Sequence, residues 1–347
     1  MQTNSYYNER NKKINALLKK ELTYLPPFVM EFFLGIESRT TPLTRLGYIQ
    51  DLKVFFHFLT TEIDGFLGKK VTEFIIDDLN TVTALHLELF LNYLNLYEYN
   101  GKSYTNSSKS KARKLSTIRS FFKYFFKKEK LSANVASKID APKIKDKEIV
   151  RLEIDEVVKL LNQAESGSYL TKQQQGFHKH TKSRDFALLS LFLGTGIRIS
   201  ECVGLNIDDI DFENNAFTVT RKGGNRVILY FNDEVKTALE EYLIDRAKIK
   251  DLPEEENALF LSLQKKRMNV RSVQELVKKY SSVTTPLKHI TPHKLRSTYG
   301  TNLYRETKDI YIVADVLGHK DVNTTKKHYA AISEDIRREA ANKVKLR

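Results

Sequence analysis

Apolar residues recur at three- and four-residue steps along the first part of the chain, which is the spacing of a helix that buries one face. This pattern predicts helices over residues 28–34, 44–60, 84–96 and 109–128. Polar residues fill the positions between the apolar ones, as expected for helices that pack around a shared core. The N-terminal part, to about Asp140, is therefore predicted to be helical.

The predicted helix over residues 109–128 has two distinct faces. Its apolar stripe consists of Leu115, Ile118, Phe122 and Phe125. A row of cations, Arg119, Lys123 and Lys127, runs along another side at four-residue steps. A helix that is buried on one side and cationic on another suits contact with DNA phosphates, and simple solvation of the charged row is the alternative.

After this helical part, the pattern indicates a linker and then a mixed unit. Residues 141–150 lack periodicity and contain proline and charges, which is typical of a linker. Helices are predicted over 153–164 and 184–193. Between them, residues 165–183 form a long polar segment, predicted to be either a mobile surface loop or a loop that contacts DNA or a partner.

Two β-rich runs, residues 216–220 and 226–230, flank a short turn that contains Lys222 and predict a hairpin. The fold class is therefore expected to be mainly α with a small antiparallel β-sheet (α+β). The predicted domains are 1–140, helical; 141–150, linker; 151–332, mixed; and 333–347, a C-terminal helix.

Composition and charge narrow the class of protein. The chain has 347 residues, a net charge of +14 and one cysteine, Cys202, so no internal disulfide can form. Residues 101–150 hold 14 Lys and Arg against 4 Asp and Glu, a concentration that attracts phosphate backbones. A solvated basic face is the alternative. Neither a signal-like N-terminus nor a long apolar run is present, which predicts a soluble, cytoplasmic protein.

Six residues in the second half lie in contexts that suit the handling of a phosphodiester. The contexts are Gly-Thr-Gly-Ile-Arg198-Ile-Ser-Glu, Arg-Lys222-Gly-Gly, Thr-Pro-His293-Lys-Leu-Arg296, Leu-Gly-His319 and Thr-Thr-Lys-Lys-His-Tyr329. Thr291 and Pro292 predict the start of a helix, on which the His293 and Arg296 side chains share a face. Each residue alone is more often an ordinary surface or core position.

Together, these motifs resemble the signature of the tyrosine recombinases, the family of Xer proteins and phage-type integrases. The resemblance covers essentially the whole chain, and the phrases around Lys222 and His293 look most like the single-recombinase XerS type. Ser297 stands where many relatives carry a histidine. The family implies a helical, SAM-like core-binding domain followed by a mixed catalytic domain, and the two domains clamp DNA.

The resemblance also implies a mechanism that needs no metal and no cofactor. Tyr329 is expected to attack a DNA phosphodiester and form a 3′-phosphotyrosine, which preserves the bond energy for rejoining. Arg198 and Arg296 are expected to hold the phosphate, and His293 and His319 to assist proton transfer and charge stabilisation. Lys222 is expected to protonate the leaving 5′ hydroxyl.

The same resemblance implies how the protein assembles on DNA. Double-stranded DNA with paired inverted-repeat sites is the expected partner, bound by a homotetramer on two sites that forms from free monomers. The tail carries an apolar stripe, Ile336, Ala340 and Val344, which is expected to dock onto a neighbouring subunit or to fold back onto its own domain. A DNA-translocating ATPase is a further candidate partner.

The sequence leaves several functions open. Chromosome dimer resolution of the Xer type is the first expectation, and an integrase of a phage or transposon is the second. A type IB topoisomerase uses similar chemistry, and an architectural DNA-binding protein without catalysis is the rival from another class.

Overall fold

A computed structural model of the chain describes residues 5–144, 150–221, 224–250, 252, 256–318, 321–323 and 325. The chain divides into two compact units, Met1–Asp146 and Lys147–Arg347. The division falls within the segment predicted to be a linker, although the exact domain bounds stay a prediction. No helix in the described ranges combines the length and the apolar character needed to cross a membrane.

The first unit is built from helices with one small hairpin. Its elements are α1 (Ser5–Leu22), α2 (Val29–Gly35), α3 (Pro42–Glu62), α4 (Ala84–Tyr93), β1 (Tyr97–Tyr99), β2 (Lys102–Tyr104) and α5 (Ser108–Lys127). The four helices predicted here are confirmed as α2 to α5, with ends that differ by a few residues. The N-terminal helix α1 was not predicted.

The antiparallel hairpin of β1 and β2 was missed by the sequence interpretation, which extended the preceding helix to residue 96. Asn100 and Gly101 form its turn, with φ angles of +50° and +71°. An Asn-Gly pair favours such a turn because both residues tolerate positive φ. This dipeptide was the signal that could have revealed the hairpin.

The apolar stripe of α5 forms much of the core of this unit. Its members Leu115, Ile118, Phe122 and Phe125 are all buried, as their periodicity predicts. Phe121, also on α5, packs edge-to-face against Phe32 of α2, with ring centroids 5.2 Å apart. Such aromatic pairs add to the stabilisation that burial provides. The helix is therefore held firmly on its apolar side.

A buried carboxylate joins α3 to α5. Asp51 on α3 is fully buried and accepts hydrogen bonds from Arg113, at 2.6 Å, and from Lys114 and Thr117. Because a buried charge is costly unless it is paired, these donors are required to keep Asp51 in the core.

The second unit is mixed. Its elements are α6 (Ile154–Ser166), α7 (Lys172–Thr195), α8 (Ile199–Cys202), β3 (Ile210–Asp211), β4 (Ala216–Thr220), β5 (Arg226–Tyr230), α9 (Asp233–Ala247), α10 (Val270–Thr284), α11 (Pro292–Thr307) and α12 (Ile310–Leu317). The strands form an antiparallel sheet in the order β3-β4-β5, with Ala216 opposite Tyr230 and Thr220 opposite Arg226. The predicted hairpin and the predicted fold class are both confirmed.

The prediction of a loop over residues 165–183 is wrong for most of that segment, because α7 begins at Lys172 and continues to Thr195. The Thr171 hydroxyl accepts a hydrogen bond from the Gln174 backbone N–H, and the Gln174 side-chain oxygen accepts one from the Thr171 backbone N–H. This capping box stabilises a helix start despite the polar sequence that follows. The polar composition reflects an exposed surface rather than a lack of structure.

Several side chains of this polar segment face inward, among them Leu170, His178 and Thr181. His178 is buried, and its Nδ1 atom lies 3.0 Å from the hydroxyl of Tyr280 on α10. Tyr280 in turn donates to the fully buried Asp185, at 2.8 Å. Although burial opposes it, the nearby Arg184 and Lys279 hold the pKa of Asp185 below its usual range. This network ties α7 to α10.

Stability should depend on the protonation of His178. Burial lowers the pKa of His178, although the Glu165 carbonyl opposes this effect. Between that lowered pKa and the ordinary value of about 6.5, the unfolded chain binds a proton that the folded chain does not. The free energy of unfolding should therefore fall as pH decreases through this window, and the fall should be shallower in His178→Gln. Urea unfolding at pH values from about 5 to 7.5 measures this difference.

The matched control is His180→Gln, on the same helix but exposed to solvent. It should keep the pH dependence of the unsubstituted protein. If His178→Gln also keeps it, His178 does not contribute to the acid sensitivity of the fold.

Candidate active site

The Gly-Thr-Gly motif forms the turn between α7 and α8. Gly196 ends α7 with a φ of +61°, in the left-handed region that favours glycine. A Cβ atom on Gly196 would lie 2.4 Å from the Tyr299 ring and 2.9 Å from the Leu317 side chain. Glycine is therefore required here both for the turn and for close packing of α7 against α11 and α12.

This turn places Arg198 at the start of α8. The Arg198 backbone N–H donates to the carboxylate of Glu201, at 3.1 Å, and its guanidinium donates to the same carboxylate, at 2.9 Å. Glu201 is buried, so its charge needs this partner. The Arg198 side chain is 34% exposed, which leaves part of it accessible to a ligand.

The second predicted arginine lies on α11. Thr291 and Pro292 begin this helix as predicted, but the Thr291 hydroxyl makes no capping hydrogen bond within the described part of the chain. His293 is exposed in the first turn, whereas Arg296, one turn later, is only 5% exposed. The Arg296 guanidinium donates to the carbonyls of Gly196 and Leu317. Ser297 donates to the His293 carbonyl, at 3.1 Å.

The C-terminal end of α12 is where these arginines meet. The last carbonyls of a helix lack partners within the helix and must be satisfied from outside. Gly318, with a φ of +60°, ends α12, and its N–H donates to the carbonyls of Ala314 and Asp315. The carbonyls of Val316 and Leu317 remain to be satisfied by other groups.

Arginine side chains from different elements supply those donors. Arg198 donates to the Leu317 carbonyl, at 3.1 Å, and to the Gly318 carbonyl, at 2.9 Å. Arg296 also donates to the Leu317 carbonyl. The structure therefore brings Arg198 and Arg296 together on one acceptor, at the point where the chain continues to His319. Cations at this end also complement the helix dipole.

A third arginine reaches the same helix end. Arg221 follows β4 and donates to the Val316 carbonyl, at 3.0 Å. Burial and the neighbouring Arg198 lower the pKa of Arg221, while Glu201 and Asp315 oppose this shift. In the sequence, Arg221 is simply the residue before Lys222, and nothing in its local sequence distinguishes it from other basic hairpin residues.

Several predicted site residues lie outside the described residues. These are Lys222, His319, Tyr329 and the tail over 333–347. In the sequence, Lys222 directly follows Arg221 and His319 directly follows Gly318. The catalytic roles assigned to the six residues stay predictions. Within the described ranges, no group of three or more His, Cys, Asp or Glu could hold a metal ion.

The three residues of the predicted cationic row on α5 differ in their exposure to solvent. Lys123 and Lys127 are exposed, as a DNA-contacting role requires. Arg119 is partly buried and donates to the carbonyl of Ile139, which follows α5 in the chain. This contact gives Arg119 a role in the fold, and DNA contact by the row stays a prediction.

The geometry of the α7–α8 turn makes a prediction about stability. Gly196→Ala should lower the free energy of unfolding by at least about 1 kcal/mol, since alanine at this φ is strained and its Cβ would clash with Tyr299. Gly176, inside α7, is the matched control, because a Cβ atom there would meet no described atom within 4 Å apart from its chain neighbours and the backbone of its own helix. Gly176→Ala should raise stability by roughly 0.5–1 kcal/mol. Equal responses of the two variants in urea unfolding would contradict this account of the turn.

Comparison with known proteins agrees with this architecture. Residues 150–335 match the model of the phage integrase family. The tyrosine recombinase XerC of Caldanaerobacter subterraneus subsp. tengcongensis is 32% identical over 94% of this chain and 91% of its own length. The tyrosine recombinase XerS of Streptococcus thermophilus is 30% identical over 90% of this chain and 95% of its own length.

Solved structures show the same fold. The XerH site-specific recombinase bound to a palindromic difH substrate has a TM-score of 0.66 at 18% identity, over 87% of this chain and 80% of that chain. A lambda integrase dimer bound to a COC′ core site has a TM-score of 0.61 at 17% identity, over 87% and 93%. On the family match and the relatives of at least 30% identity, the chain belongs to the phage integrase family and is a tyrosine recombinase, an enzyme of DNA strand exchange.

Proposed function

We propose that the meeting point of Arg198 and Arg296 on the Leu317 carbonyl is where a DNA phosphate is held for attack by Tyr329. The observation that carries this proposal is that two guanidinium groups from separate helices share one acceptor at the end of α12. A guanidinium has five N–H donors in a planar fork, which suits two phosphate oxygens at once. The three hydrogen bonds of Arg198 do not exhaust its donors.

In the proposed reaction, the Tyr329 phenolate forms a bond to phosphorus while the bond from phosphorus to the 5′ oxygen breaks. The product is a 3′-phosphotyrosine and a free 5′ hydroxyl, and the reverse attack by a 5′ hydroxyl rejoins the strand. Negative charge grows on the two non-bridging oxygens during attack. Fixed cations stabilise that charge because they are oriented before the reaction begins.

Proton transfers complete the reaction. Lys222 would donate a proton to the leaving 5′ oxygen, since an alkoxide is otherwise a poor leaving group. His319 and the exposed His293 would donate hydrogen bonds to the phosphate and assist proton transfer, because the pKa of an imidazole lies near neutrality. All of these steps use side chains of this chain and duplex DNA, with no cofactor.

We propose a role of the Xer type, in which the enzyme resolves chromosome dimers at paired inverted-repeat sites in the cytoplasm. The relatives that match most of this chain at 28–32% identity include both XerC and XerS proteins, which supports this role. Integration of a mobile element is the second candidate, since a Tn1549 transposon integrase shares the fold with a TM-score of 0.62. A dif-like site beside the chromosomal gene favours the first candidate, and a gene inside a mobile element favours the second.

The proposed assembly is a homotetramer that forms on two DNA sites from free monomers and proceeds through a Holliday junction. A lambda integrase tetramer bound to a Holliday junction shares the fold, with a TM-score of 0.60, and supports this proposal. The tail over 333–347 would join neighbouring subunits through Ile336, Ala340 and Val344. Activation by a DNA-translocating ATPase belongs to the same proposal.

Replacing the nucleophile tests the proposed chemistry. Tyr329→Phe should bind its DNA site with unchanged affinity but form no covalent complex, because only the phenolic oxygen is lost. A nicked suicide substrate followed by denaturing electrophoresis detects the adduct. Tyr311→Phe is the matched control, since this exposed tyrosine on α12 is expected to keep the adduct. An adduct that persists in Tyr329→Phe would assign the nucleophile to another residue.

Salt dependence tests the proposed DNA contact of α5. Arg119 is left intact because it supports the fold, and Lys123→Gln is combined with Lys127→Gln. If both lysines neutralise phosphates, the slope of log affinity against log salt should decrease by about two, because each lost contact releases roughly one fewer counterion. The control combines Lys159→Gln with Lys248→Gln, exposed lysines that already pair with carboxylates. Equal slopes for the two double variants would indicate that this face of α5 is only solvated.

A further inference from the structure

Arg221 occupies a position that the six predicted residues do not explain. It lies at the end of β4, at the base of the hairpin turn, where its N–H donates to the Asn225 carbonyl, at 2.8 Å. Its guanidinium reaches the Val316 carbonyl on α12, 95 residues further along the chain. The side chain therefore joins the hairpin directly to the end of α12.

The end of α12 is shaped to receive this side chain. A Cβ atom on Gly318 would lie 2.1 Å from one terminal nitrogen of Arg221 and 2.3 Å from its Cζ atom. Gly318 thus has two functions, because its φ of +60° ends the helix and its missing side chain leaves room for the guanidinium. Such close approach fixes the Arg221 side chain against the backbone that leads to His319.

The placement of Arg221 is costly without a compensating function. Its Nε atom is buried and has no hydrogen-bond acceptor in the described ranges. Its guanidinium also lies near the like charge of Arg198, with Glu201 and Asp315 as the nearby carboxylates. A buried N–H that has no acceptor among the described residues and a neighbouring cation both disfavour this arrangement. A functional requirement for the link between hairpin and helix would account for it.

We propose that Arg221 is a positioning residue. Through its hydrogen bond to the Val316 carbonyl, it orients Lys222 toward the phosphate that Arg198 and Arg296 hold. This inference rests on the proposed role of Lys222 as proton donor. Consecutive Cα atoms lie about 3.8 Å apart, so a restraint at Arg221 acts one residue from Lys222. Misplacement of a catalytic group by about 1 Å can reduce a rate about 10²-fold.

The leaving group provides a direct readout of this positioning. In an ordinary substrate, the bond from phosphorus to the 5′ oxygen breaks and that oxygen receives a proton. In a substrate with sulfur at the bridging 5′ position, the bond from phosphorus to sulfur breaks instead. The sulfur leaves as a thiolate, which is stable near neutral pH and needs no proton. A defect that affects only proton donation should therefore disappear with the sulfur substrate.

The experiment compares single-turnover cleavage of the two substrates by the full-length chain and its Arg221→Gln, Lys222→Ala and Arg226→Gln variants. Arg221→Gln should cleave the ordinary substrate about 10²-fold more slowly than the unsubstituted protein. It should cleave the sulfur substrate at nearly the unsubstituted rate. The measured quantity is the ratio of the two rates, which partial misfolding does not change because it reduces both rates equally.

The controls separate this inference from the function on which it rests. Arg226→Gln removes the same charge from the same hairpin, but its side chain is 64% exposed and lies 3.7 Å from Asp209, so its rate ratio should stay unchanged. If Lys222→Ala is not rescued by sulfur, Lys222 is not the proton donor and the inference falls with that role. If Lys222→Ala is rescued but Arg221→Gln is not, or if Arg221→Gln cleaves the ordinary substrate at full rate, only the positioning role of Arg221 is overturned.

Discussion

The hydrogen bonds that satisfy the last carbonyls of α12 are the interaction on which the arrangement of the second unit depends. A helix end inside a protein requires outside donors, and here arginine side chains from other elements provide them. The donors are Arg198 before α8, Arg221 after β4 and Arg296 on α11. The need to satisfy these backbone carbonyls therefore brings three arginine side chains together from distant parts of the chain. The same concentration of positive charge is what a DNA phosphate needs.

Two glycines allow these arginine side chains to reach the end of α12. Gly196 allows α7 to end close to Tyr299 and to direct Arg198 toward α12. Gly318 ends α12 and leaves space for Arg221. Both residues have a positive φ, and a side chain at either position would clash with its neighbours. Each position therefore favours glycine for two separate reasons. Packing requirements therefore account for the glycines in the Gly-Thr-Gly and Leu-Gly-His motifs, in addition to any chemical role of their neighbours.

The sequence predicted the fold class and most helices because their apolar spacing is strong, as in the stripe of α5 that is wholly buried. It failed over residues 172–183, where a capping box and the inward-facing His178 and Thr181 stabilise a helix of mostly polar residues. It also missed Arg221, since the partner of this side chain lies 95 residues away. Periodicity reports which face of an element is buried, but it carries no information about a contact between distant segments.

The two predicted arginines are not equivalent, and their difference follows from burial. Arg296, at 5% exposure, bridges the carbonyls of Gly196 and Leu317, so its planar fork joins the end of α7 to the end of α12. Lysine has no such fork and cannot connect two acceptors in the same geometry. Arg198 is more exposed and is anchored by Glu201, which holds the guanidinium in place while leaving part of it open. Arg296 therefore also supports the fold, and Arg198 is the more accessible of the two arginines that we propose hold the phosphate.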